Sequence, residues 1–560
     1  MALPVFSARS SLVVVVLILS VYLLSAKSHF TVFGRKAVEH NVSINLDRAV
    51  FTVNEKFLSV AIDSSILRHH WSPYVNFTSE KLYTLAKGLS PAFLRVGGTS
   101  EDFLIYDDSK DFQTFQNFSN FTISHADLDK IHLLSSKADW DVMFGLNVFL
   151  RGKDGSWNAS NAKEIMQYVA DHGYRFGWEL GNEPNLFKKF NKSISPEELT
   201  ADFTTLREIL KSNPGFGNFL VGPDVTRILN HSKSGIYLES LFLLLEPDLF
   251  WRFGRSISSE ELAEDFHTLR AILEGSPQFG NYLVGPDMAT VTSEKTGSFL
   301  RSFFTHAKDV IDAVTWHQYY VNGRTCSEKD FYNPEVLDYF LHEVSEANSI
   351  LDGIKSGFSR WLGETSSAYG GGASGLSDRY VAGFMWLDKL GLAARLKHEV
   401  VVRQTFVKGS YSLLDDDLDP NPDYWLSLLH KRLVGEKVLD VSGQTEEKRK
   451  VRVYAHCSSS QYPLGSVTLL ALNVLLDTPV VLKLNGELKG KDVDVYLLTP
   501  ENGDLLTKTV KLNGKVLKLV DDRTLPDLAP KSVPGDEPLN LPPLTFGFYV
   551  IPKASASACG

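Results

Sequence analysis

Cysteine is scarce: Cys326, Cys457 and Cys559 are the three in 560 residues. That excludes a scaffold held together by many disulfides, and no Cys/His cluster has the spacing of a metal site. A basic balance is also missing. The formal net charge is −10, so nucleic acid is not an indicated partner, and any binding to a polyanion has to come from a local patch. Long apolar runs are lacking after the first 26 residues, which argues against a membrane span in the mature protein. The one early run, Leu12 to Leu24, follows Arg9 and ends at Ser25-Ala26. It is short for a span and has the layout of a signal peptide, with an uncleaved anchor as the alternative. The composition is not that of a disordered chain. Apolar content of 43% and charged content of 22% are ordinary for a globular protein, and 560 residues imply more than one domain.

What is present fits the secretory route. Seven Asn-x-Ser/Thr sequons occur, at Asn41, Asn76, Asn117, Asn120, Asn158, Asn191 and Asn230. An oxidising compartment allows one disulfide and leaves one thiol. Cys457 and Cys559 share the strand-rich C-terminal region and are the expected pair; Cys326, after Gly323-Arg-Thr325, is the expected free cysteine.

From residue 56 to 435 strand and helix patterns alternate. Strands are expected at Phe57–Ile62, Ala92–Val96, Asp141–Asn147, Phe176–Gly181, Ala313–His317, Trp361–Glu364 and Val400–Arg403. Helices are expected over 78–90, Asn161–His172 and Asp423–Leu433, and residues 104–138 read as a surface loop followed by a helix. Repeated βα units of this length point to a parallel sheet closed as a (β/α)8 TIM barrel. From 436 to 560 short alternating segments are separated by Asn485-Gly486, Asn502-Gly503 and Asn513-Gly514, the pattern of a C-terminal antiparallel β-sandwich. A strand segment within 27–55 is expected to join that sandwich.

The barrel region holds an internal repeat. Residues 183–224 and 246–287 match at an offset of 63, with 27 identities in 42 aligned positions counted from the sequence, and weaker similarity reaches 244 and 306. Sixty-three residues is about two βα units, so the duplication would overfill an eight-unit barrel. One copy should build the barrel and the other lie outside it, unless two alternative exons have been joined.

Two constellations carry chemistry. In Trp178-Glu-Leu-Gly-Asn-Glu-Pro-Asn185, Asn182 and Glu183 stand where a barrel strand ends, the face on which such barrels keep their active sites. A carboxylic acid there can protonate a departing sugar oxygen, and the neighbouring amide can hold an adjacent hydroxyl. In Trp361-Leu-Gly-Glu-Thr-Ser-Ser-Ala-Tyr-Gly-Gly-Gly372, Glu364 again sits at a strand end, before glycines that allow close approach to a ligand. Two carboxylates about 5–5.5 Å apart make a retaining pair. Glu246 is the repeat's counterpart of Glu183, but Leu245 replaces Asn182 and the preceding run is helical in pattern, so Glu246 is not expected to be catalytic.

These motifs, with Leu89-Ser-Pro-Ala-Phe-Leu-Arg-Val-Gly-Gly-Thr99, Thr315-Trp-His-Gln-Tyr-Tyr320, Pro422-Asp-Tyr-Trp-Leu-Ser-Leu428 and Val520-Asp-Asp-Arg-Thr-Leu-Pro526, make the chain resemble the heparanase family of retaining glycoside hydrolases from Asp47 to about Ile551. The resemblance implies an endo-β-glucuronidase that cuts heparan sulfate proteoglycans without metal or organic cofactor. It implies Glu183 as acid/base and Glu364 as nucleophile. Asp63, Thr99, Asn182, Tyr319, Gly370, Gly371, Gln404, Gly409 and Tyr411 would line the sugar sites, and Lys189 and Arg324 would meet anionic groups. Tyr319 can also hydrogen-bond the nucleophile. Secretion, the extracellular matrix, and the lysosome after uptake are the implied locations. The inactive relative lacks this glutamate pair, so the pair favours an active enzyme.

The sequence departs from the family in its linker. Only about 35 polar residues join Tyr106 to the next barrel strand, so the excised segment that makes the family's two-chain form is absent, and the enzyme is expected to act as one chain unless processed. Gln116-Asn-Phe-Ser119 replaces a Lys-rich stretch, and Ala289-Thr-Val-Thr-Ser-Glu294 replaces a basic run. Sulfate affinity depends on Lys and Arg, so weaker binding of highly sulfated chains is expected. An exo-β-glucuronidase on less sulfated substrates and a non-catalytic heparan sulfate-binding protein are the alternatives.

Overall fold

A computed structural model describes residues 36–107, 120–182, 313–351, 359–442 and 449–560, with short stretches between 202 and 221. The N-terminal segment with the layout expected of a signal peptide, Asn117, Glu183, Lys189, Asn191, Asn230, Glu246 and the whole second repeat copy from 246 to 287 lie outside the described residues.

Eight strands form one parallel sheet: β2 (Leu58–Asp63), β3 (Ala92–Gly97), β6 (Trp140–Leu146), β7 (Phe176–Leu180), β8 (Leu220–Val221), β9 (Ala313–Asn322), β10 (Ser359–Tyr369) and β11 (His398–Arg403). Their spatial order is β8-β7-β6-β3-β2-β11-β10-β9. Each pairs with its neighbour in sequence except β8 and β9, which are the two edges, and the last, β11, returns to pair with the first, β2. The strands read as near-continuous apolar runs because both faces are covered; every residue of β7 is buried. Strand β8 comes from the first repeat copy: Leu220 pairs with Trp178, and Val221 with Glu179.

Helices α1 (Glu80–Gly88), α2 (His125–Ala138), α3 (Ser160–Asp171), α4 (Pro334–Leu351), α5 (Ala382–Arg395) and α6 (Pro422–Leu433) follow strands of this sheet. The expected loop before α2 contains a small parallel pair, β4 (Leu104–Tyr106) with β5 (Phe121–Ile123), which the polar composition of that stretch concealed. Strand β10 runs five residues past Glu364, so the expected strand end is a point in mid-strand.

The second sheet has eleven strands and is mixed. Its central strands are β1 (Val38–Thr52), β12 (Val434–Ser442), β13 (Val451–Ser458), β14 (Val467–Asn473), β16 (Val493–Pro500) and β17 (Thr545–Ile551), antiparallel where they pair. The expectation of a purely antiparallel arrangement is corrected at one place: β1 runs parallel to β15 (Val480–Leu484), because an N-terminal strand is inserted among C-terminal ones. Cys457 of β13 and Cys559 form a disulfide, with Cα atoms 5.3 Å apart, and Cys326 is free.

Helix α5 joins the two sheets into one core. It is buried on all sides from Ala382 to Ala394. A Cβ on Gly383 would stand 2.3 Å from the Phe546 ring, and one on Gly391 2.2 Å from the Tyr454 ring, so both glycines are demanded by contact with the mixed sheet. On the same helix Asp388 accepts from Arg452 Nε and Tyr454 OH, each at 2.6 Å. Its remaining face packs on the parallel strands that carry the site.

Candidate active site

Glu364 projects from β10 at the register of His317 on β9. Tyr319 OH donates to Glu364 Oε1 at 2.6 Å, and Arg95 Nη1 donates to Oε2 at 3.2 Å. Burial alone would raise the pKa of this carboxyl. The positive charges of His317 and Arg95, with the hydrogen bonds from Tyr319 and Arg95, outweigh it and hold the group below its ordinary value. Glu364 is thus kept as a carboxylate, with 14% of its side chain open.

Arg95 is the hub. From β3 it forks onto Glu179 of β7, Nε to Oε2 and Nη2 to Oε1, both at 3.0 Å, and Nη2 also reaches Asn182 Oδ1 at 3.3 Å. One buried guanidinium thereby links the strand end before Glu183 to the Glu364 carboxylate. Beneath it lies Glu101. Gly98 N–H donates to its Oε2 at 3.0 Å, and a Cβ on Gly145 would stand 2.1 Å from that oxygen, so glycine leaves the room this carboxyl occupies. Burial first, then the charges of Glu179 and Asp102, push the Glu101 carboxyl well above the usual carboxylate range. Asp102 accepts from Asn182 N–H at 3.2 Å and orients the turn that leads to Glu183.

Tyr411 stacks on Tyr319 with ring centroids 6.5 Å apart, and its phenol is pushed up by burial and by the negative charges of Glu364 and Asp63. Gln404 is buried beside it at the end of β11. Asp63 ends β2 and accepts from Ser65 N–H at 2.9 Å; Thr99 begins the short turn after β3. Gly370 and Gly371 have φ of +85° and +92°, and open space stands where a side chain would be, so the turn is bare toward solvent. Gly323 N–H donates to Tyr369 O at 3.0 Å, which sets the exposed Arg324 against this glycine turn. Gly409 is exposed with φ +109°, next to the Tyr411 ring.

Glu364, Tyr319, Asn182, Tyr411 and Gln404 thus gather around Arg95 or around one another, with Asp63 near Tyr411, while Glu183 and Lys189 lie outside the described residues. Sequence reasoning missed Arg95, Glu179 and Glu101; an arginine and two glutamates at inward strand positions were the available signal. It also missed Lys389 on α5. Its fully buried Nζ donates to Thr365 Oγ1 at 2.5 Å, Ser366 O at 2.7 Å and Gln318 O at 3.3 Å, bracing β9 and β10 behind Tyr319 and Glu364. Of the sequons, Asn41, Asn76, Asn120 and Asn158 are exposed.

The glycosyl hydrolase family 79, N-terminal domain, profile matches residues 70–223 and 252–391. Heparanase of Gallus gallus is 38% identical over 568 aligned residues, which cover 92% of this chain and 96% of the relative. Hyaluronoglucuronidase of Hirudo nipponia is 32% identical, covering 92% and 99%. Among solved structures, a 4-O-α-L-rhamnosyl-β-D-glucuronidase from Fusarium oxysporum superposes with a TM-score of 0.55 at 15% identity, over 90% of this chain and 99% of that one, a likeness of fold.

Proposed function

The chain belongs to glycosyl hydrolase family 79, the family of the heparanases, and from that premise we propose a retaining endo-β-glucuronidase that cuts heparan sulfate within the chain. The observation that carries the reading is the state of Glu364: an ionised carboxylate, held by Tyr319 and Arg95 and open on one side. A retaining mechanism asks this of its nucleophile. The carboxylate attacks the anomeric carbon, Glu183 protonates the leaving oxygen, and Glu183 then activates the water that releases the sugar. Asn182 presents its side chain beside the same strand end and suits a hydroxyl next to the reacting carbon.

The eight parallel strands support a closed (β/α)8 barrel, since the last pairs with the first and β8 and β9 are the remaining edges. The second repeat copy falls between those two strands in the chain. The first copy supplies β8, so the second is surplus to an eight-strand count. Asp63, Thr99, Tyr319, Gly370, Gly371, Gln404, Gly409 and Tyr411 line the sugar sites, with Lys189 and Arg324 on the glycan's anionic groups. The N-terminal segment and the sequons fit a secreted glycoprotein that works in the matrix and, after uptake, in the lysosome.

The test is the length distribution of heparan sulfate after incubation with the full chain at mildly acidic pH, beside Glu364→Ala. Shortened chains from the parent alone are expected. Free glucuronic acid without shortening would move the assignment to an exo-glycosidase, and no product from either protein would leave a binding protein.

A further inference from the structure

One lysine beside the sugar sites is absorbed by neither the fold nor the glutamate mechanism. Lys408 sits between Gln404 and Tyr411 in the segment that follows β11, at φ +62°, a backbone conformation that costs any residue but glycine. It is half-buried. Its Nζ donates to Ser65 Oγ at 2.9 Å, and it lies over the Tyr74 ring at 4.4 Å from the centroid. Ser65 is in turn bonded through its own N–H to Asp63. The ammonium is therefore tethered across the site, between the Asp63 turn on one side and the exposed Gly409 on the other.

Among the described residues its one hydrogen bond is to the Ser65 hydroxyl, and it forms no ion pair. Burial, first, and then repulsion by Arg68 lower its pKa, against the pull of Asp63 and Asp416. Exposed His69 stands edge-on to the same Tyr74 ring at 6.0 Å and feels the positive charge of both Lys408 and Arg68. Lys408 and His69 thus flank one aromatic ring, with the charge of Arg68 acting on both. An ammonium with spare donors, held by an aromatic face and a hydroxyl, suits a tetrahedral oxyanion.

We propose that Lys408 is a specificity-determining residue that binds a sulfate group on the sugar lodged between Asp63 and Gly409, with His69 at the outer edge of the same anion site. The inference rests on the endo-β-glucuronidase reading for the identity of the polymer. It also bears on the basic stretches missing from the linker and at Ala289–Glu294, since it supplies positive charge from a different part of the chain.

The experiment compares Lys408→Gln and Lys408→Arg with the parent, as full-length protein. The substrates are heparan sulfate oligosaccharides and size-matched, unsulfated heparosan oligosaccharides, which keep the carboxylates. The first readout is the ratio of kcat/KM for the sulfated over the unsulfated substrate. One lost charge-assisted hydrogen bond lowers that ratio about tenfold in Lys408→Gln, mostly through KM, with recovery in Lys408→Arg. The second readout, equilibrium binding of both oligosaccharides, decides the lysine's role whether or not the parent turns them over. A weakening shared equally by the two substrates would assign the contact to carboxylate and overturn the sulfate proposal, as would unchanged binding of both. Absence of product from the parent, with sulfate-selective binding lost in Lys408→Gln, would sink the glucuronidase reading and leave the lysine's role standing.

Discussion

Tyr319→Phe removes a single hydroxyl and tests how the nucleophile is kept ionised. That hydroxyl donates to Glu364 Oε1 at 2.6 Å in a site where Arg95 and His317 act in the same direction. A hydrogen bond to a charged group contributes about 1.5–3 kcal/mol, and about 1.4 kcal/mol corresponds to one pH unit. Loss of the donor therefore favours the protonated form of Glu364, and the acidic limb of the kcat/KM profile moves upward by about one to two pH units. The limb does not move further, because Arg95 Nη1 still holds Oε2 at 3.2 Å. At a pH below the displaced limb the loss is larger than on the plateau, where it reflects only the hydrogen bond's part in the transition state. The assay is initial rate against pH on a soluble glucuronide oligosaccharide, under kcat/KM conditions, for parent and variant. A lowered plateau with an unmoved limb would show that Tyr319 acts on the sugar and not on Glu364. A limb displaced downward would contradict the electrostatic account altogether.

Gly391→Ala places a methyl 2.2 Å from a Tyr454 ring whose hydroxyl is pinned to Asp388, so overpacking of about 1–3 kcal/mol is expected in urea unfolding. Gly215→Ala, whose nearest contact would be at 3.8 Å, serves as the control and should change little. Stability should also fall in acid. Burial holds the pKa of His398 down to about 3 and that of His456 to about 4, from 6.5, so below pH 6.5 the unfolded chain binds protons that the folded one refuses. The urea midpoint should drop progressively from pH 6.5 toward pH 4, and His398→Asn should flatten the slope; an unchanged slope would assign the acid sensitivity elsewhere.

Much of this molecule is determined within short windows of sequence. Alternating βα periodicity, the Gly-bounded strand end before Asn182, and the Asn-Gly turns depend on backbone preferences that act over a few residues. Asn513 and Gly514 both take positive φ, as such a turn requires. The disulfide partners were likewise legible, because with three cysteines, two of them in one strand-rich region, few pairings were available. Tertiary structure decided the rest. Arg95 meets Glu179 and Glu364 from 84 and 269 residues away, and Lys408 meets Ser65 from 343. No periodicity carries that information, because strand register and sheet order bring those groups together. The same holds for β1 lying parallel to β15, for the glycines of α5 that face Phe546 and Tyr454, and for the repeat: two copies with nearly the same local preferences cannot be ranked by sequence, and pairing of Leu220-Val221 with β7 assigns the strand to the first.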